Sequence, residues 1–306
     1  MGFQKLLKEF KRAAARYSLF IFSAIIGFLP FWMVKGLMHV LTGIAFFFVV
    51  RLKRIARETL RIAFEGKKSE SEISFIIKRC FKNFGRGLVE LVYYIHNPDK
   101  VKKRFTFEGK EYLEEALQRG KGVIAVTAHF GNFALMQLAF AQFGYPIKVI
   151  IRKARDRKIA EYSFRKMTDL KVYPIHSLPA RRCVQESLSA LKNNEIVFVL
   201  LDQNFGSGTG VFVDFFGRKA ATGTGPIVFA ERSGAPILPL FCVREGNSDN
   251  HKVIIEPPFD ITLRDNRDEM MLENVSKITQ IIEKYIRRYP HEWGWMHRRW
   301  KTQQSQ

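Results

Sequence analysis

The chain has 306 residues, 47% of them hydrophobic, and carries 50 Lys and Arg against 29 Asp and Glu, a net charge of +21. That apolar content can build a full core and excludes wholesale disorder, and the length allows one sizeable α/β domain with an accessory segment. The cationic excess favours acidic partners such as nucleic acid, anionic lipid or an acidic protein. Three widely spaced cysteines, Cys80, Cys183 and Cys242, fit neither a disulfide framework nor a zinc site, as expected of a reducing compartment.

The N-terminus separates lipid from nucleic acid. Residues 18–34 (SLFIFSAIIGFLPFWMV) and 36–50 (GLMHVLTGIAFFFVV) carry no acid, Lys or Arg, and only Lys35 lies between them. Each run is slightly short for an upright span of about 20 residues. Both flanks are basic, with Lys5, Lys8, Lys11, Arg12 and Arg16 before and Arg51, Lys53, Arg54 and Arg57 after, so the positive-inside rule places both on the cytoplasmic side. That pattern predicts a shallow hairpin breaking near Pro30–Lys35, or a helix lying in the interface, rather than a single crossing. No nucleic-acid module accompanies the charge. The expected organisation is a membrane anchor with basic flanks over 1–60 and a catalytic domain over 61–306.

Further along, 51–66 reads as a basic helix, 66–72 as a loop, and 73–96 as a helix with Ile73, Ile76, Ile77, Phe81, Phe84, Leu88, Leu91 and Val92 on its apolar face, broken by Asn97–Lys100. From about 104 short apolar runs alternate with amphipathic segments. Strands are expected at 123–127, 147–151, 196–201, 236–243 and 252–256, and helices at 111–119, 132–143, 156–169, 180–192, 224–233 and 268–289. That alternation predicts an α/β fold, a central mixed sheet covered by helices. The tail HEWGWMHRRWKTQQSQ mixes tryptophan with cations and ends polar, and is expected to fray.

In open α/β sheets, ligands gather outside the carboxyl ends of strands. His129 follows the strand at 123–127, and Asn132 suits the N-cap of the next helix. A neighbouring helix N-terminus favours neutral imidazole, the form a general base needs; the alternative is a turn histidine satisfied by backbone groups. Asp202 follows the apolar strand at 196–201 and is positioned to accept from His129 Nδ1–H, or else to cap its own turn with Asn204 and Gly206. The segment GVFVDFFGRKAATGTGP at 210–226 brings Arg218, and its Thr222–Gly225 end, including Thr224, offers backbone amides for an anion or a carbonyl oxygen. It lacks the pattern of a nucleotide loop.

Taken in order, AHFGNFALM, LLDQNFG, VFVDFFGRKAATGTGP, SGAPILPLF and WMHRRWKT resemble the bacterial lipid A late acyltransferases, the lauroyl/myristoyl acyltransferase family, itself related to glycerolipid acyltransferases. The resemblance runs over nearly the whole chain. It implies transfer of a fatty acyl group from acyl carrier protein to a hydroxyl of an anionic glycolipid, at the cytoplasmic face of the bacterial inner membrane. It implies no metal, nucleotide or other cofactor, and no nucleic-acid partner. His129 would be the general base. Asn132, Arg152, Arg155, Arg218, Thr224, Arg298 and Arg299 are candidates for substrate contacts, with Lys153 beside them and the tail tryptophans at the lipid interface. One position departs from the pattern: five residues after His129, where the family has Glu or Asp, this chain has Ala134. Three explanations stay open: an inactivated variant, an enzyme in which Asp202 alone orients His129, or a non-catalytic lipid-binding homologue.

Overall fold

The computed structural model describes residues 13, 16–18, 20–154, 156–206 and 210–303. Two apolar helices come first, α1 (Arg16–Phe28) and α2 (Phe31–Phe48). The chain breaks between them at Leu29–Pro30, and Lys35 lies inside α2. Basic helix α3 (Val50–Ala63) and the 27-residue α4 (Glu70–His96) follow. Helix α4 starts three residues earlier than the apolar spacing predicts. Ser69 and Glu72 form a reciprocal capping box there, so polar residues 70–72 that read as loop are the first helical turn.

Strand β1 (Phe105–Glu108) leads into α5 (Lys110–Gln118), β2 (Val123–Thr127) into α6 (Phe133–Gln142), β3 (Ile147–Ile151) into α7 (Arg157–Asp169), and β4 (Val172–His176) into α8 (Ala180–Lys192). Next come β5 (Ile196–Leu200), the hairpin β6 (Val211–Phe215) and β7 (Arg218–Thr222), α9 (Gly225–Ser233), β8 (Ile237–Arg244), β9 (His251–Ile255) and α10 (Arg267–Arg288). Seven strands form one sheet in the order β1-β9-β8-β2-β5-β3-β4. All its pairings are parallel except β8 with β9. The predicted mixed sheet covered by helices is what forms.

Central strands β2 and β8 are buried along their whole length, as near-continuous apolar runs between two helical layers require. Side chains alternate between the layers: Ile124 and Val126 face a core with α3, α9 and α10, and Val123 and Ala125 face one with α2, α5 and α6. Strands β1 and β4 escaped the pattern reading because they are edge strands of four and five residues. Pro174 inside β4 is tolerated where one side of the strand makes no ladder bonds. The β6–β7 hairpin escaped it because Phe216 and Gly217, both at positive φ, make a two-residue turn with an unusual first residue. The Phe216 N–H is held by Glu283 Oε2 at 2.6 Å.

The inner face of the N-terminal pair is tied to the sheet domain. Ile26, Val34 and Met38 are buried with Val89, Tyr93 and Tyr94. Arg16 bridges Asp156 at 3.3 Å and Lys35 bridges Asp249 at 2.8 Å. The outer face is bare: Phe28, Trp32, Phe47 and Phe48 are between 73 and 90% exposed. By length and composition α2 is apolar enough to cross a membrane.

Candidate functional site

Two adjacent parallel strands bring the centre together. In the register of β2 and β5, Thr127 stands opposite Leu200, and the Leu201 N–H continues the ladder to the Thr127 carbonyl at 3.0 Å. Two residues beyond that pair on each strand stand His129 and Asp202. Equal offsets from a matched register put both side chains at the same depth of the carboxyl edge.

His129 Nδ1 lies 2.9 Å from Asp202 Oδ1. Donation by Nδ1–H leaves the lone pair on Nε2, where the exposed Gln203 amide donates at 3.1 Å. The imidazole is therefore in the tautomer whose outward nitrogen is basic. Its ring also meets Phe133 edge-on at 4.9 Å between centroids. Asp202 is only 2% exposed. Burial pushes its pKa up, but His129 and the indole N–H of Trp293, which donates to Oδ2 at 2.7 Å, outweigh that and hold the carboxyl below its usual range.

The turn carrying His129 admits one residue at its sharpest point. Gly131 has φ +57°, and a Cβ there would lie 1.8 Å from the Cys242 carbonyl oxygen, so the glycine of AHFGN is a steric requirement. Asn132 caps α6 by accepting from Leu135 N–H, and its amide donates to the Gly87 carbonyl and to Glu90 Oε2. Glu90 is itself buried in a two-pronged pair with Arg244, at 2.8 and 2.7 Å. Asn132 is thus a bolt between α6 and α4, with both ends of its amide engaged inside the protein. Ala134 sits in the first turn of α6, half-buried, with no acid in that turn.

The C-terminal tail supplies what the sequence reading missed. Trp293 pairs as an antiparallel bridge with Phe130, Gly131 N–H donates to the Glu292 carbonyl at 2.7 Å, and Gly294 N–H donates to the His129 carbonyl at 3.2 Å. His297 Nε2 accepts from the backbone N–H of Asn204. Burial lowers its pKa to about 4 despite the pull of Asp202, which keeps it neutral. The expectation of tail tryptophans at a lipid surface fails for Trp293 and Trp295, both 0% exposed: their N–H groups find acceptors inside, on Asp202 and the Pro290 carbonyl, so the core accommodates them. Arg299 is equally enclosed, donating to the Ala221 carbonyl and Thr222 Oγ1 and lying over the Phe215 ring. It braces the β6–β7 hairpin from inside.

The remaining candidates scatter. Arg152 and Arg298 are exposed, the first directly after β3. Arg218 is exposed at the hairpin, and Thr224 is the half-buried N-cap residue of α9, without a side-chain cap bond. Arg155 lies outside the described residues, as do Lys5, Lys8, Lys11 and Arg12 of the N-terminal flank. Past β3 and β4 the same sheet edge opens into a groove of about 790 Å³ lined by Lys153, Arg157, Phe164, Arg165 and His176, with Glu161 and Asp169 also on its walls.

Comparison with known proteins agrees with the motif order. A family model described as bacterial lipid A biosynthesis acyltransferase matches residues 1–302. The lipid A biosynthesis lauroyltransferase of Escherichia coli K12 is 26% identical, over 90% of this chain and 87% of its own. The palmitoleoyltransferase of the same organism is 28% identical, over 83% and 80%. A phosphatidylinositol mannoside acyltransferase of Mycobacterium tuberculosis is 26% identical, over 65% and 60%. Among solved structures, the 1-acyl-sn-glycerophosphate acyltransferase PlsC of Thermotoga maritima aligns with a TM-score of 0.37 and 17% identity, over 78% of this chain and 95% of that one. With the family model spanning all but the last four residues, the chain belongs to the bacterial lipid A biosynthesis acyltransferase family.

Proposed function

We propose that the chain moves a fatty acyl group from an acyl carrier protein thioester to a hydroxyl of a lipid A precursor, with His129 as general base. What supports acid–base chemistry is the 2.9 Å hydrogen bond from His129 Nδ1 to a buried Asp202, which turns a basic Nε2 outward. The acceptor hydroxyl takes the seat of the Gln203 amide and gives its proton to Nε2 as its oxygen attacks the thioester carbonyl. Asp202 stabilises the imidazolium so formed. The tetrahedral intermediate, its oxyanion facing backbone N–H groups at the start of α6, collapses to the ester. The carrier's thiolate leaves and takes back the proton from His129.

Residues 1–60 serve as the anchor and 61–306 as the catalytic domain. The bare apolar face of α1 and α2 enters the cytoplasmic side of the inner membrane, with the basic flanks at the headgroups. The cations after β3 and those of the neighbouring groove meet phosphates of the acceptor or the acidic carrier. A different glycolipid or aminolipid acceptor would use the same chemistry, as the mannoside-acylating relative illustrates.

Ala134 favours a second reading, an inactivated or non-catalytic lipid-binding member, because its side chain supplies no acid beside the histidine. The test is acyl transfer from acyl carrier protein to a phosphorylated lipid A precursor by this chain, Ala134→Glu and His129→Ala. Asp202 sufficing to orient His129 gives measurable turnover in the unaltered chain. Restoring the acid is expected to raise it by ~10-fold or more, and His129→Ala to abolish it. Turnover by the Glu variant alone identifies a disabled enzyme. Silence in all three refutes the acceptor or the chemistry.

A further inference from the structure

We propose that Trp293 is a positioning residue for the His129–Asp202 pair: its indole N–H pins one carboxylate oxygen so that the other must face the imidazole. The inference rests on reading that pair as the acid–base centre. Asp202 has two oxygens and two directed partners, His129 Nδ1 on Oδ1 and Trp293 Nε1 on Oδ2, at 2.9 and 2.7 Å. A carboxylate held by one donor alone can turn about its Cβ–Cγ bond. With a second donor fixed on the other oxygen, that rotation breaks a hydrogen bond in a buried site.

The indole is a fixed donor. Trp293 is 0% exposed, meets Trp295 and Phe215 edge-on at 4.7 and 5.7 Å, and its carbonyl accepts from the Cys80 thiol. Its backbone is paired with Phe130, the residue after the base. One residue thereby ties the base-bearing turn through its main chain and the acid through its side chain. The tail also holds the far end of the acid's loop, through His297 on Asn204 N–H and through a two-bond clasp between Asn204 and Thr302. An indole donates only and is uncharged, so it orients the carboxylate without neutralising it. The nearby cation Arg299 spends its contacts on Ala221 and Thr222 instead.

A packing residue and a positioning residue differ in what they do to the bond between imidazole and acid. Losing the indole N–H frees the Asp202 carboxylate to turn, which weakens its hydrogen bond from His129 Nδ1–H; losing the carboxylate removes that acceptor. The other titratable groups facing the pair are His297 and Arg299 of the tail, unchanged in the variants below, while α6 and the loop after β5 present the uncharged Phe133 and Gln203.

The experiment is NMR at fixed pH of full-length chain in detergent, labelled at histidine and tryptophan, with the His129 ring resonances assigned by their loss in His129→Gln. Trp293→Phe is expected to move the hydrogen-bonded Nδ1–H resonance of His129 toward the exchanging, unbonded position, and Asp202→Asn to abolish it. A resonance abolished in Asp202→Asn but unmoved in Trp293→Phe overturns the positioning role and leaves the acid–base pair standing. A resonance unmoved by Asp202→Asn overturns both. Should Trp293→Phe fail to fold, the indole N–H resonance decides. Its displacement in His129→Gln supports the proposal, because the two donors share one carboxylate, and its constancy there overturns the proposal.

Discussion

On the β2–β5 half of the sheet's carboxyl edge, Asp202 is buried and both its oxygens are engaged by donors whose own backbones are paired. Two strands over, Arg152 and Lys153 stand exposed beside an open groove whose cations alternate with Glu161 and Asp169. The same edge thus carries one end organised by short hydrogen bonds and one organised by charge. Buried, directed contacts fix geometry to tenths of an ångström and are indifferent to salt. Exposed charges act over about a Debye length, roughly 8 Å in physiological salt, and are screened beyond it. Chemistry needs the first kind of organisation, and capture of a large anionic partner needs the second.

Substitutions at the two ends break that contrast differently. Asp202→Asn keeps the shape but lets the amide present its N–H₂ to the imidazole, favouring the wrong tautomer. The acyl-transfer kcat is expected to fall by ~10³-fold or more with KM little changed. A loss confined to KM would mean that Asp202 serves binding instead. At the open end, Lys153→Ala with Arg165→Gln should leave kcat alone and raise KM for a phosphorylated acceptor or the carrier by ~3–10-fold in low salt, the difference fading near ~0.5 M salt. A salt-independent effect would show that these cations pack rather than attract.

A smaller effect sharpens the comparison inside the buried end. Glu292, next to Trp293, is 3% exposed, and burial pushes its pKa up to about 7 against the pull of Arg244 and Arg79. Between about 4.5 and 7 the unfolded chain releases this proton while the folded chain keeps it, so stability falls as pH rises through that window. Glu292→Gln, which cannot ionise, should remove a decline on the order of 2–3 kcal/mol. Thermal unfolding at pH 5 and pH 8 measures it. An equal decline in both proteins would place the raised group elsewhere. Asp202 and Glu292 are comparably buried carboxyls with opposite shifts: Asp202 has a short hydrogen bond to each oxygen, at 2.9 and 2.7 Å, whereas Glu292 has the Asn83 amide at 3.2 Å on Oε1 and His291 no nearer than 3.8 Å.

Much of the candidate site's layout was legible in advance for a definite reason. A buried parallel strand must be a short apolar run, and the residues just past its carboxyl end must be where polar chemistry surfaces. His129 and Asp202 were both found that way, from strands whose observed ends differ from the expected ones by at most a residue. Asn132 was legible as a cap, because capping is local. Its second attachment, to Gly87 and Glu90, reaches 45 and 42 residues back along the chain, and no spacing encodes it. Arg299, Trp293 and Trp295 misled because cations and indoles read as surface residues until carbonyls, a hydroxyl and a carboxylate elsewhere in the chain are known to receive their N–H groups.

The sequence by itself therefore determined the class of sheet, the two candidate side chains His129 and Asp202, the apolar N-terminus and the absence of an acid at Ala134. These are set by local composition and by periods of two and 3.6 residues. Tertiary structure alone decided that Thr127 aligns with Leu200 and so brings His129 to Asp202, and that a tryptophan 91 residues further on holds the acid. Strand register and tail docking are choices among long-range pairings, made by the burial of whole faces at once. No single stretch of chain contains that information.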